Sequence, residues 1–283
     1  MRDIGVVGAG TIGVGVAQTL AQTGHRVVLV DVAGDILDRA RRDIGRGLRL
    51  AALFDAAARR EGHPEILARI TFTTDYDRLR DAELVVENST EDWSVKEAVY
   101  PVLDRTCRAE CILAANTSAV PIGRLAALTA RPDRVIGMHF MNPVHRKPVV
   151  EVVRGRQTSE ETVRAARSLL DRLGKRAIVV RDRPGFVSSR VLMLTINEAV
   201  FVVHENVASP ADVDEIFVQC FAHKMGPLAT ADLIGLDTVL RTLDVLTESY
   251  ADSKFRPCPL LRQMVDAGRL GRKTGQGFFE YGD

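Results

Sequence analysis

His139 and Glu151 are the residues best suited to proton transfer. They lie twelve positions apart in the stretch VIGMHFMNPVHRKPVVEVV, from Val135 to Val153. Histidine gains and loses a proton near neutral pH. A carboxylate that fixes its tautomer leaves one ring nitrogen free as a general base. Glu151 stands between Val149-Val150 and Val152-Val153, and a carboxylate among valines is costly to bury alone. His139, across a turn, is the natural partner. The turn is Asn142-Pro143, since proline cannot donate to a strand ladder and biases its neighbour. The apolar run that starts at Val135 and ends at His139 reads as one strand, and the β-branched valines read as the next. The plainer alternative is a structural histidine at a solvated strand end.

A second chemical signal opens the chain. Ile4 to Val7 reads as a buried strand, and Gly8-Ala9-Gly10-Thr11-Ile12-Gly13 follows at once, leading into a helical pattern to about Gln22. In this G-x-G-x-x-G turn, Gly8 makes the bend, Gly10 lets backbone approach a pyrophosphate, and Gly13 lets helix and strand pack closely. The helix start, with Thr11 and Ile12, offers free N–H groups and a positive dipole end to phosphate. Arg26 to Val30 is the next strand, and Asp31 ends it, 18 residues past Gly13. An acid there accepts hydrogen bonds from a ribose diol and repels a 2′-phosphate, and Val32-Ala33 offers no arginine for one. The pattern predicts NAD rather than NADP.

Further polar residues follow strand ends. Strands are expected at Ile70–Thr73, Glu83–Glu87 and Cys111–Ala115, and a helix from Trp93 to about Arg105. Glu91 precedes that helix, Lys96 lies about a turn into it, and Ser118 follows Asn116-Thr117. Ligands bind beyond the carboxyl ends of strands in an open parallel sheet. The glycine turn, Asp31, Glu91, Ser118 and His139 are therefore expected to line one crevice. Ser118 lacks a G-x-S-x-G context and reads as a hydrogen-bond donor rather than a nucleophile. Asp35 to about Arg60 reads as a long helix with Ile36, Ala40, Ile44, Leu48 and Ala51 on one face and arginines 39, 41, 42, 46 and 49 on the others; Gly62 and Pro64 break it.

The totals restrict the function class. With 283 residues, a formal net charge of +1 and 46% hydrophobic residues, the chain gives no case for nucleic acid or membrane partners. The first strand begins so close to Met1 that a signal peptide has no room. Cys107, Cys111, Cys220 and Cys258 form no metal-binding pattern and read as reduced thiols of a cytoplasmic protein. A helix from Glu160 to Leu173 and a last strand, Ala177 to Val180, precede the charged, turn-forming Arg181-Asp182-Arg183-Pro184-Gly185. The expected organisation is α/β, with a Rossmann-type dinucleotide-binding domain over 1–182 and an all-helical domain over 183–283. Helices are expected at Val191–Val203, Val213–Cys220, Leu236–Leu246 and Leu260–Ala267, with a break at Met225-Gly226-Pro227. The first of these is apolar on almost every face and needs cover on all sides, for which a homodimer built on this domain is the preferred explanation; the plainer alternative is a contact onto the first domain.

The stretches GAGTIG, VVENSTEDWSVK, ANTS, GMHFMNP with VVEV, DRPGFVSSR, MGPLATADLIGLD and GRKTGQGFF resemble the 3-hydroxyacyl-CoA dehydrogenase family, including its 3-hydroxybutyryl-CoA-type members, over nearly the whole chain. The resemblance implies a Rossmann-type domain followed by a helical dimerisation domain. It implies His139 as catalytic base, Glu151 as its orienting partner and Ser118 on the substrate oxygen, with Glu91, Lys96, Ser118 and Asn142 near the nicotinamide half of NAD. Ser189 stands where the family usually carries asparagine; it is the candidate to bond the substrate there, directly or through water. Animal members contact coenzyme A from a serine and a lysine on the helix after the ribose-binding acid. Gapless alignment puts Gly47 and Phe54 at those places. ADSKFRPCPLL resembles a polyketide-pathway branch acting on glyceryl groups carried by an acyl carrier protein.

These readings predict NAD-dependent interconversion of a 3-hydroxyacyl and a 3-oxoacyl thioester, linked to coenzyme A or an acyl carrier protein. Two other classes compete. One is another hydroxyacid dehydrogenase, which would use a lysine at the reacting centre. The other is a non-catalytic NAD-binding relative of the lens-crystallin kind, favoured by Ser189 and opposed by the His139/Glu151 pair.

Overall fold

Short β-branched strands that read as apolar on both faces need helices above and below them. The computed structural model, which describes residues 3–54 and 62–282, builds this arrangement. It divides into two units, Met1–Arg183 and Pro184–Asp283.

The first unit alternates strands β1 (Asp3–Val7), β2 (Arg26–Val30), β3 (Ile70–Thr73), β4 (Leu84–Glu87), β5 (Ile112–Ala115), β6 (Val135–His139), β7 (Val149–Arg154) and β8 (Arg176–Arg181) with helices α1 (Thr11–Gln22), α2 (Gly34–Phe54), α3 (His63–Ala68), α4 (Trp93–Thr106), α5 (Ile122–Ala126) and α6 (Glu160–Arg172). The strands form one eight-stranded sheet in the order β3-β2-β1-β4-β5-β6-β7-β8. β3 through β6 run parallel, β7 pairs antiparallel with β6, and β8 runs parallel to β7. The order reverses around β1, so the crevice beyond the carboxyl ends of β1 and β4 is the switch point where α/β sheets bind ligands. Val6, Leu29, Val86, Ala114 and Met138 carry the core from strand to strand, and Val16, Leu20, Ile44 and Leu170 cover it.

α2 buries Ala40, Ile44 and Leu48 and half-buries Ile36, while arginines 39, 41, 42, 46 and 49 are exposed. The side chain of Ala51 and the expected run to Arg60 lie outside the described residues. Gly62 and Pro64, expected to break the helical pattern, stand at the start of a separate helix, α3, with proline in its first turn. Proline's missing N–H is harmless there.

The second unit packs α7 (Ser188–His204) among α8 (Pro210–Phe221), α9 (Pro227–Ile234), α10 (Leu236–Tyr250) and α11 (Pro259–Asp266). Ile196 and Val200 of α7 join Leu228, Leu243, Phe255 and Leu261 in its core. α7 is not covered on all sides within this unit, since Val191 stays exposed. Met225-Gly226-Pro227 is again a helix start: both oxygens of the buried Asp214 accept from Leu228 N and Ala229 N at 2.8 Å, capping α9. Asp232 ties down the C-terminal tail, accepting from Phe278 N, Phe279 N and Tyr281 Oη at 3.0 Å each. Among the described residues no helix is long and apolar enough to cross a membrane, and no cluster of three or more His, Cys, Asp or Glu is placed to hold a metal.

Candidate active site

The glycine turn fits a dinucleotide by its sterics. A Cβ on Gly13 would lie 1.8 Å from Gly8 O, so helix and strand close up only with glycine there. A Cβ on Gly10 would meet nothing within 4 Å, which leaves its backbone open to a ligand. Gly10 is the N-cap of α1 and provides no side-chain cap, so the first amides of the helix are available to a pyrophosphate. Asp31 reaches back to this turn. Its Oδ2 accepts from Ala9 N at 2.6 Å and its Oδ1 from Val32 N at 2.7 Å. A carboxylate offers about four acceptor positions, which leaves capacity for a ribose diol.

The ends of β4, β5 and β6 carry a connected polar set. Glu91 is held at both oxygens, by Thr117 Oγ1 and by Ser118 N, each at 2.6 Å. The amide of Asn116 donates to Asn88 Oδ1 at 2.8 Å and accepts from Phe140 N at 2.9 Å. Beneath them Lys96 Nζ donates to Glu87 Oε2 at 2.7 Å, both side chains being 0% exposed. Glu87 Oε1 also accepts from Ser89 N at 2.6 Å, so the pair shapes the chain leading to Glu91. Burial, with Glu87 and then Glu91 adding to it, pushes the nearby Tyr100 phenol well up from its ordinary range, which keeps it protonated.

β6 and β7 supply the dyad. Their register sets His139 opposite Glu151. His139 Nδ1 lies 3.1 Å from Glu151 Oε2, and His139 Nε2 lies 3.1 Å from Ser118 Oγ. His139 is 6% and Glu151 7% exposed. An ionised carboxylate only accepts, so Nδ1 carries the proton toward Glu151 and Nε2 presents its lone pair toward Ser118. The loop between the strands rests on α1, where a Cβ on Gly15 would meet Val144 at 2.9 Å. Lys175 Nζ pins the same loop through Val144 O at 2.6 Å and Lys147 O at 2.8 Å. Asn142 lies in this loop, exposed, before a cis bond to Pro143.

The first unit thus joins Ser118, His139 and Glu151 in one line and bonds Glu91 to the Ser118 backbone. Gly8 to Gly13 and Asp31 form a second group. Lys96 is fully buried with its ammonium on Glu87. Ser189 belongs to the second unit, buried near the start of α7. Asn88, Asn116 and Thr117 were not singled out from sequence. Their signal was present, since each is a polar residue just beyond a strand.

The family model described as 3-hydroxyacyl-CoA dehydrogenase, NAD binding domain, matches residues 3–183, and the model for the C-terminal domain of the same enzyme matches residues 185–281. The chain belongs to the 3-hydroxyacyl-CoA dehydrogenase family. Its first unit is that family's NAD-binding domain, NAD is its cofactor, and membership makes it an NAD-dependent 3-hydroxyacyl-CoA dehydrogenase. The chain is 44% identical to a probable 3-hydroxybutyryl-CoA dehydrogenase of Bacillus subtilis over 282 residues, 99% of this chain and 98% of the relative. It is 46% identical to a protein of the same description from Deinococcus radiodurans over 277 residues, covering 98% and 99% of the two. The crystal structure of (S)-3-hydroxybutyryl-CoA dehydrogenase from Ralstonia eutropha superposes with a TM-score of 0.92 at 43% identity, over 100% of both chains.

Proposed function

We propose that the chain oxidises a 3-hydroxyacyl thioester with His139 as general base, and that its substrate is a short 3-hydroxyacyl thioester such as 3-hydroxybutyryl-CoA. The observation that carries this is the Glu151–His139–Ser118 line at the carboxyl edge of the sheet. His139 Nε2 takes the proton of the C3 hydroxyl. Glu151 holds Nδ1–H and balances the positive charge that forms on the ring. Ser118 Oγ, already within hydrogen-bond reach of Nε2, binds the same substrate oxygen. NAD, when bound, accepts hydride from C3. Gly8 to Gly13 and Asp31 hold the cofactor's diphosphate and adenine ribose. Glu91, Lys96, Ser118 and Asn142 shape the nicotinamide end, Lys96 by way of Glu87, and Ser189 supplies a further hydrogen bond to substrate. Formation of NADH from (S)-3-hydroxybutyryl-CoA and NAD tests the reading, and a chain that binds NADH but turns over no 3-hydroxyacyl thioester sinks it.

Asp31 should make NAD strongly preferred. Losing charge-assisted ribose bonds and adding a repelled 2′-phosphate is expected to lower kcat/KM for NADP by about 10²-fold or more. Equal efficiency with the two cofactors would show that Asp31 does not face the ribose.

A second reading concerns the carrier. Gly47 carries no hydroxyl, and the nearest atom to a Cβ there would be Gln18 Oε1, the movable end of a side chain, at 2.7 Å; the Phe54 side chain lies outside the described residues. The exposed arginines of α2 suit the acidic surface of an acyl carrier protein. On this reading kcat/KM for a carrier-protein thioester exceeds that for the coenzyme A thioester and falls steeply with salt. A large advantage for coenzyme A, with no effect of Arg42→Glu and Arg46→Glu on the carrier-protein reaction, rules it out.

The second unit exposes Val187, Val191, Val207, Ile216, Phe221 and Leu233. We propose that a second copy covers part of this surface, giving a homodimer. Sedimentation equilibrium should return twice the chain mass at micromolar concentration, and a monomer there would refute it.

A further inference from the structure

The pairing of β5 with β6 stops at Ala115 opposite Gly137. His139 therefore extends past the end of β5. On the β7 side it is held by its register with Glu151. On the β5 side the ladder has run out, and a side chain takes its place: Asn116 Oδ1 accepts from Phe140 N at 2.9 Å. The other end of the same amide donates to Asn88 Oδ1 at 2.8 Å, and Asn88 Nδ2 donates to Val86 O at 3.0 Å. These partners fix the amide orientations. Phe140 N can only donate and Val86 O can only accept, so Asn116 Oδ1 faces the first and Asn88 Nδ2 the second.

Asn88 lies against the cofactor turn. Its N donates to Val7 O at 2.6 Å, and its carbonyl oxygen is 2.6 Å from where a Cβ on Gly8 would stand. One amide thus ties the turn that holds the hydride acceptor to the strand that ends in the proton acceptor. Asn116 also precedes Thr117 and Ser118, so the third member of the reacting line hangs from the same residue. We propose that Asn116 is a positioning residue that sets His139 relative to the bound nicotinamide through Asn88 and Phe140. This rests on the general-base reading of His139. Transfer of a proton and a hydride from one carbon and its oxygen needs both acceptors in place together, and an error of about 1 Å costs about 10²-fold in rate.

The test is steady-state reduction of acetoacetyl-CoA by NADH, with kcat expressed per NADH-binding site so that only folded molecules count. Asn116→Ala is expected to lower kcat by about 10²-fold while the Kd for NADH and the KM for acetoacetyl-CoA stay within about twofold. Asn116→Asp still accepts from Phe140 N but cannot donate to Asn88, and its kcat should fall between the two, about tenfold below the parent. If the alanine variant does not fold, the aspartate variant decides alone. A kcat equal to the parent's in the folded variant, a loss confined to KM or NADH affinity, or an aspartate variant no better than alanine would overturn the proposal. His139→Gln, run in parallel, separates the two levels. If it stays active, the general-base reading fails; if it is inactive while Asn116→Ala is unimpaired, only the positioning role falls.

Discussion

Replacing His139 with glutamine is expected to lower kcat by about 10²–10⁴-fold, the scale for losing a general base, with NADH affinity unchanged. The glutamine amide keeps roughly the size of the ring and can bond both Ser118 and Glu151, so the pocket survives. It cannot accept a proton from an alcohol at neutral pH. Glu151→Gln should cost less, because its amide oxygen still accepts from Nδ1–H and keeps the tautomer. What it loses is the negative charge that balances the imidazolium as the proton arrives. Stopped-flow measurement of a single turnover, together with fluorescence titration of NADH, separates the chemical step from binding. Near-parental turnover in His139→Gln would remove His139 from the mechanism.

Lys96→Met is expected to destabilise the first unit by about 3–5 kcal/mol, the scale for removing one partner of a buried ion pair. Methionine fills the volume but leaves the Glu87 carboxylate fully buried with only Ser89 N on its other oxygen. The double variant Glu87→Gln/Lys96→Met should recover most of that loss, because no isolated charge remains. Urea unfolding midpoints of the single and double variants measure both effects. A single-variant loss under about 1 kcal/mol would mean that water reaches Glu87. Direct contact between Lys96 and the cofactor would instead raise the Kd for NADH with stability intact.

The strands could be read from the sequence because their residues are apolar on both faces and their ends are marked by Gly, Asp or Asn. Val135 to His139 and Arg26 to Val30 stand where the pattern places them. Pro64 and Pro227 stand at the expected interruptions between helices, and each also opens the next short helix, in whose first turn its missing N–H costs nothing. The His139/Glu151 pairing followed from one fact, a lone acid among valines across a turn. Lys96 shows the limit of that logic. A charge in a helix gives no sign, in sequence, of whether it faces a ligand or a buried acid, and the Glu87 that pairs with it reads as one more strand residue. The Asn88–Asn116 bond was equally hidden, since two polar residues after separate strands meet only when the sheet order is known.

The reversed course of β7 has a consequence for how this protein wears out. Glu151 is the third residue of that strand, opposite His139 on one side and Ile178 of β8 on the other. An acid on a loop can swing away during a small fluctuation. The backbone of this one is paired on both flanks, so it is carried off only if the β6–β7–β8 edge of the sheet opens, not by a fluctuation of the loop alone. Heating should therefore leave no long-lived population that is folded yet catalytically dead. The time course of inactivation at high temperature is that of unfolding itself, and added cofactor, by holding the folded form, prolongs both together.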